Sequence, residues 1–134
     1  MARSVMEGVT FSLRDSFEIF KDLGVPIGQV RAAGGGAKSP LWRQINADAI
    51  GAEHVRLGID EGPALGAALL AAVGAGRYKT VADACHAAIR VTERVVPIRE
   101  NTAVYDRLYP IYRSLYPALK NQFAAVSKAV DNGG

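Results

Sequence analysis

A single cysteine, Cys85, leaves no partner for an internal disulfide and suits a reducing, cytoplasmic setting. No apolar run approaches the ~18 residues a membrane span requires, and the charged N-terminus does not read as a signal peptide, so no membrane partner is expected. Charge of one sign never accumulates: 16 Lys and Arg are interspersed with 13 Asp and Glu, for a net +3. Aromatics are scarce and do not alternate with a basic stripe, which argues against nucleic-acid binding. The two histidines, His54 and His86, lie far apart, and neither has a carboxylate or second histidine at helical spacing, so no metal site is assigned. Cys85 falls in an apolar helical stretch, where an inert thiol is expected rather than a nucleophile. Asp15, Asp48 and Glu61 are scattered, and no residue receives a catalytic role. What remains, 49% hydrophobic and 22% charged residues over 134 positions, reads as one globular domain, residues 1–134.

The informative segment is Gly34-Gly35-Gly36-Ala37-Lys38-Ser39-Pro40. Three glycines follow a short apolar run and lead into a marked helix start. Ser39 is suited to the N-cap and Pro40 to the first helical position, where its missing N–H costs nothing. Such a strand-turn-helix gathers backbone N–H groups at a helix N-terminus, where glycine admits a ligand close to the chain and anions or polar acceptors are favoured. The same pattern also serves as a bare strand-to-helix turn. A Walker loop is excluded, since Ala32 and Ala37 stand where its glycines belong. A dinucleotide fingerprint is excluded because the glycines are contiguous.

Elsewhere the chain alternates helices and short strands. Ala2, Val5, Met6, Val9, Leu13, Phe17 and Phe20 recur at helical spacing and predict one buried stripe, on a helix capped by Gly24. A strand over 29–33, a helix over 40–50 closed by Gly51 and a short strand over 54–57 follow. The helix over 62–75 is almost wholly small and aliphatic, which predicts burial on most faces, with Asp60 and Glu61 suited to its first turn. Thr80 and Asp83 form a capping pair for a helix through 88, and 91–96 reads as extended. The last helix is expected over 101–130, broken or kinked near Pro110 and Pro117, with a frayed tail at 131–134. The spacing of Tyr105, Tyr109, Tyr112 and Tyr116 favours a packed face over base stacking. Trp42, beside the glycine turn, either shields a cleft or packs beneath the turn.

Taken together, Gly34 to Ser39, Leu41-Trp42-Arg43-Gln44 and Ala47-Asp48 resemble the adenosine-side motif of the FGGY carbohydrate kinases, the xylulokinase type above all. Residues 7–15 resemble the family helix before the motif, 61–72 the helix after it, and 104–109 with 115–119 the C-terminal helix. The resemblance implies an α/β fold, part of an actin-like ATPase (ribonuclease H-like) domain, helix-rich with a few short strands. It covers only the C-terminal portion of the second of two domains. The family's Asp-x-Gly-Thr phosphate motif is absent, and its second phosphate loop and general-base aspartate would lie upstream of Met1, so the chain resembles a fragment.

By that resemblance Gly34, Gly35, Gly36 and Ala37 line the adenosine side of a nucleotide cleft, and Ser39 caps the helix and touches ribose or adenine. The implied cofactor is ATP with Mg²⁺, the metal not liganded by this chain. D-xylulose would be reached only through the missing N-terminal domain. The fragment alone is expected to be inactive and to expose an apolar face, which leaves a homodimer open. Two alternatives stand: an FGGY kinase for glycerol, gluconate or ribulose, or a non-catalytic self-assembling module.

Overall fold

Helix α1, Ala2–Asp22, opens the computed structural model, which describes residues 2–58 and 62–131. It closes as the sequence predicts: Gly24 is left-handed (φ 70°), its N–H donates to Lys21 O at 3.0 Å and the Val25 N–H to Phe20 O at 2.9 Å. Strand β1, Gln29–Ala32, leads through a 3-10 turn, Gly35–Lys38, into α2, Pro40–Ile50. Ser39 caps α2, its Oγ accepting the Trp42 N–H at 3.3 Å, and Gly51 ends the helix at φ 75°. Then come β2 (Glu53–Leu57), α3 (Gly62–Gly74), α4 (Val81–Ala88), β3 (Val91–Val95) and α5 (Arg99–Asp131). Thr80 caps α4 by accepting the Asp83 N–H at 3.1 Å. Asp60, Glu61 and the glycine-rich tail at 132–134 lie outside the described residues.

The sheet runs β1-β2-β3. β1 and β2 are parallel, with Val30 opposite His54 and α2 as the crossover, while β3 returns antiparallel, with Arg94 opposite Val55. The core lies where α1, α2 and α5 meet: Phe11, Ile45, Ala49, Tyr105 and Tyr109, with Met6, Trp42 and Tyr112 against them. The Phe11 ring meets Tyr105 edge-on at 5.9 Å. Tyr109 donates to Asp15 Oδ1 at 2.5 Å; burial, then that carboxylate, push its hydroxyl pKa up to about 12.

Three expectations are corrected. The apolar stripe of α1 is not its buried face, for Val5 is 67% exposed and Val9, Leu13 and Phe20 are also exposed. The buried side carries Thr10 and Phe11, with Glu7 and Arg14 bonded to Tyr105 and Asp106 of α5, about a third of a turn away on a 3.6-residue helix. Hydrogen bonds to α5 and the Phe11 contact, rather than the widest apolar stripe, orient this helix.

Helix α3 is exposed on most faces, with Leu69 its one buried residue, because among the described elements it packs chiefly on α4. α5 starts at Arg99 and continues through Pro110 and Pro117 without a break. Both prolines are exposed, so the carbonyls of Asp106 and Arg113, deprived of their donors, are solvated rather than buried. Its tyrosine face packs only as far as Tyr112; Tyr116, Phe123 and Val126 are more than half exposed.

Candidate functional site

The glycine turn connects the end of β1 to the N-terminus of α2, and each of its residues has a distinct local reason. Gly34 sits at φ 78°, ψ −171°, a region essentially closed to residues with a Cβ. Gly35 is exposed and unobstructed. Gly36 lies over the Trp42 ring: an added Cβ would stand 2.7 Å from Cζ3 and 2.9 Å from Cε3. Ala37 is buried, and Lys38 is exposed. Two of the N–H groups are used within the turn, Ala37 donating to Gly34 O and Ser39 to Gly36 O, both at 3.2 Å. The expected row of bare donors is therefore partly consumed by the 3-10 geometry.

Trp42 packs beneath the turn. Its Nε1–H donates to Thr10 Oγ1 at 3.2 Å, and the fully buried Thr10 hydroxyl donates to Asn46 Oδ1 at 2.7 Å. This chain ties α1 to α2 and fixes the indole that Gly36 accommodates. Gln44 and Asp48 support the fold. Asp48, 2% exposed, accepts from Gln44 Nε2 (2.7 Å), the Ile98 N–H (2.7 Å) and Asn101 Nδ2 (2.8 Å), joining α2 to the start of α5.

Sequence reasoning assigned no role to Thr10, Arg43 or Glu93, although Arg43 stands in the motif that carries the resemblance. Arg43, 2% exposed, donates through Nη1 to the Ala37 carbonyl and through Nη2 to Glu93 on β3. Glu93 also accepts from Arg56 Nη1 at 2.9 Å. The available signal was electrostatic: an arginine in the first turn of α2 sits at the positive end of the helix dipole, so a compensating carboxylate was to be sought. A cleft of about 370 Å³ runs beside the turn, lined by Val9, Leu13, Phe17, Val30, Gly36 and Arg43 among others. His54 borders it, 2% exposed, with Nδ1 3.0 Å from Ala52 O; burial holds its pKa below 6.5.

The other sequence candidates do not join this site. Tyr105 and Tyr109 are core residues, Tyr116 is exposed, and Cys85 is half-buried on α4. Among the described residues no three His, Cys, Asp or Glu side chains gather as a metal site, and no helix is long and apolar enough to cross a membrane.

A helix-rich chain with a small mixed sheet is an architecture shared with solved xylulose kinase structures. The crystal structure of xylulose kinase from Rhodospirillum rubrum matches 91% of this chain at TM-score 0.78 and 32% identity, using 25% of that chain. The fold is thus part of an actin-like, FGGY C-terminal domain. Residues 1–75 match the C-terminal domain of the FGGY family of carbohydrate kinases, and the chain belongs to that family. A xylulose kinase of Staphylococcus epidermidis is 41% identical over 119 residues, 89% of this chain and 24% of the relative. A ribulokinase of Mycolicibacterium smegmatis is 37% identical over 115 residues, 85% of this chain and 20% of the relative. The chain spans a fifth to a quarter of the length of these relatives.

Proposed function

We propose that this chain forms the adenosine side of the nucleotide site of an ATP-dependent sugar kinase whose whole-protein reaction converts ATP and D-xylulose to ADP and D-xylulose 5-phosphate. The observation that carries the reading is the Gly34–Ser39 turn at the start of α2, in a chain of this family. Gly34, Gly35, Gly36 and Ala37 would present backbone to the nucleoside. Ser39 accepts the Trp42 N–H, which leaves its own O–H free to donate to ribose or base. Sugar, general base and Mg²⁺ ligands belong to parts of the kinase beyond this chain, and no step of the transfer is assigned to residues here. In-line positioning and neutralisation of phosphate charge, which drive such reactions, need those parts. The isolated chain is therefore expected to transfer no phosphate, and measured transfer would sink this reading.

An amide-resolved NMR titration with ADP tests the half-site. Shifts centred on Gly34 to Ser39 are expected, with weak affinity on the order of millimolar, about −4 kcal/mol. The one tryptophan, Trp42, packs under the turn and supplies an independent fluorescence readout. A dispersed spectrum that ignores ADP would reduce the turn to a structural connection and favour the self-assembling reading. The similarity to a ribulokinase supports a second reading for the sugar alone, ribulose in place of xylulose, since the residues proposed here face the nucleotide. Phosphorylation assays of the longer protein with both ketoses decide between them.

A further inference from the structure

Beneath the glycine turn one carboxylate holds two guanidinium groups, and one of those guanidiniums holds the turn. Arg43 is buried at the start of α2 and donates from Nη1 to Ala37 O and from Nη2 to Oε2 of Glu93. Arg56 of β2 donates from Nη1 to Oε1 of the same carboxylate at 2.9 Å. Glu93 stands in the middle of β3, beyond the residues that match the family domain, and its side chain is 42% exposed. The network therefore runs from the solvent face of the sheet to a buried carbonyl in the turn.

We infer that Glu93, acting through Arg43, is a positioning residue for the glycine turn. The inference rests on the reading of that turn as the nucleotide half-site, and adds β3 to the elements that shape it. The mechanical reason is that the turn is held from two directions. The Trp42 ring blocks Gly36 from moving inward, while Arg43 draws the Ala37 carbonyl toward the sheet. Its own hydrogen bonds, two at 3.2 Å in a four-residue 3-10 segment, are a weak restraint on glycine backbone. Arg43 Nε is buried with no hydrogen-bond partner among the described residues, so the guanidinium is oriented by its two terminal nitrogens alone. Without the Glu93 charge a buried arginine is uncompensated and turns toward water, releasing Ala37.

The test uses the full 134-residue chain as wild type, Glu93→Gln, Glu93→Ala and Glu93→Asp, with Glu53→Gln as control. Glu53 makes a comparable cross-strand pair with Arg94 but does not contact the turn. Amide exchange is read at Ala37 and Ser39, and ADP affinity by Trp42 fluorescence. Glu93→Gln should speed exchange at those two amides about tenfold, with the helical core unchanged, as a local opening does. It should weaken ADP by roughly 3–10-fold, a coupling within the usual range for networked residues. Glu93→Asp should restore part of both, and Glu53→Gln should alter neither. If Glu93→Ala fails to fold, the Gln and Asp variants still decide. Unchanged exchange at the turn, or exchange raised equally throughout the core, overturns the inference. If no protein binds ADP yet the turn loosens in Glu93→Gln, the clamp stands and the nucleotide reading falls.

Discussion

At the scale of single residues, the turn is decided by what a Cβ would meet. Gly35 has open space around it, whereas Gly34 is set by backbone conformation and Gly36 by the Trp42 ring. Gly34→Ala should cost about 1–3 kcal/mol for the forced backbone region. Gly36→Ala should cost a similar ~1–3 kcal/mol by overpacking against an indole that Thr10 holds in place. Gly35→Ala should be nearly neutral, and urea unfolding of the three variants checks the order. His54 makes a separate prediction. Desolvation lowers its folded pKa below 6.5, so the unfolded chain takes up the proton first and stability falls as pH drops below about 6.5. The slope attributable to it approaches about 1.4 kcal/mol per pH unit until the folded histidine also protonates. Denaturant midpoints from pH 8 to 5 should flatten in His54→Asn relative to wild type; identical slopes would refute the assignment.

At the scale of elements, α2 organises the molecule. One end carries the turn, and its buried side carries Asp48, which accepts three donors and thereby seats the first turn of α5. Asp48→Asn replaces one acceptor oxygen by a donor group facing other donors, and should cost about 2–3 kcal/mol. Selective loss of protection around Ile98 and Asn101 in amide exchange would locate that cost at the α2–α5 joint. The prolines of α5 teach a converse lesson. Their missing N–H groups suggested a kink or a break; on an exposed face the released carbonyls have water as partner, and the helix continues without a break.

At the scale of the whole molecule, the open surfaces form the outstanding feature. The Val5, Val9, Leu13 stripe of α1, most of α3 and the distal half of α5 stay uncovered. The outer edge of β1 has no strand partner among the described residues. Both the α1 stripe and α3 fall within the residues that match the family domain, in a chain spanning about a quarter of the relatives' length. Apolar surface of this extent is unusual for a monomer. The isolated chain should therefore sediment faster as its concentration rises, and a single monomeric species at all concentrations would contradict that.

Local chemistry was legible from residues alone. Ser39 and Pro40 at the start of α2, Gly24 and Gly51 at helix ends and the Thr80 cap each follow from backbone constraints acting within a few positions. The order of helices and strands, and the family resemblance built on the turn, were legible for the same reason. What lay beyond the sequence was every choice that depends on a distant neighbour. Periodicity marks an apolar stripe on α1 but does not say that Phe11 and the Glu7–Tyr105 bond will turn another face inward. The composition of α3 demands cover without naming it. Arg43 and Glu93, fifty positions apart, meet only because β3 returns antiparallel beside β2, and that pairing is made by tertiary folding alone.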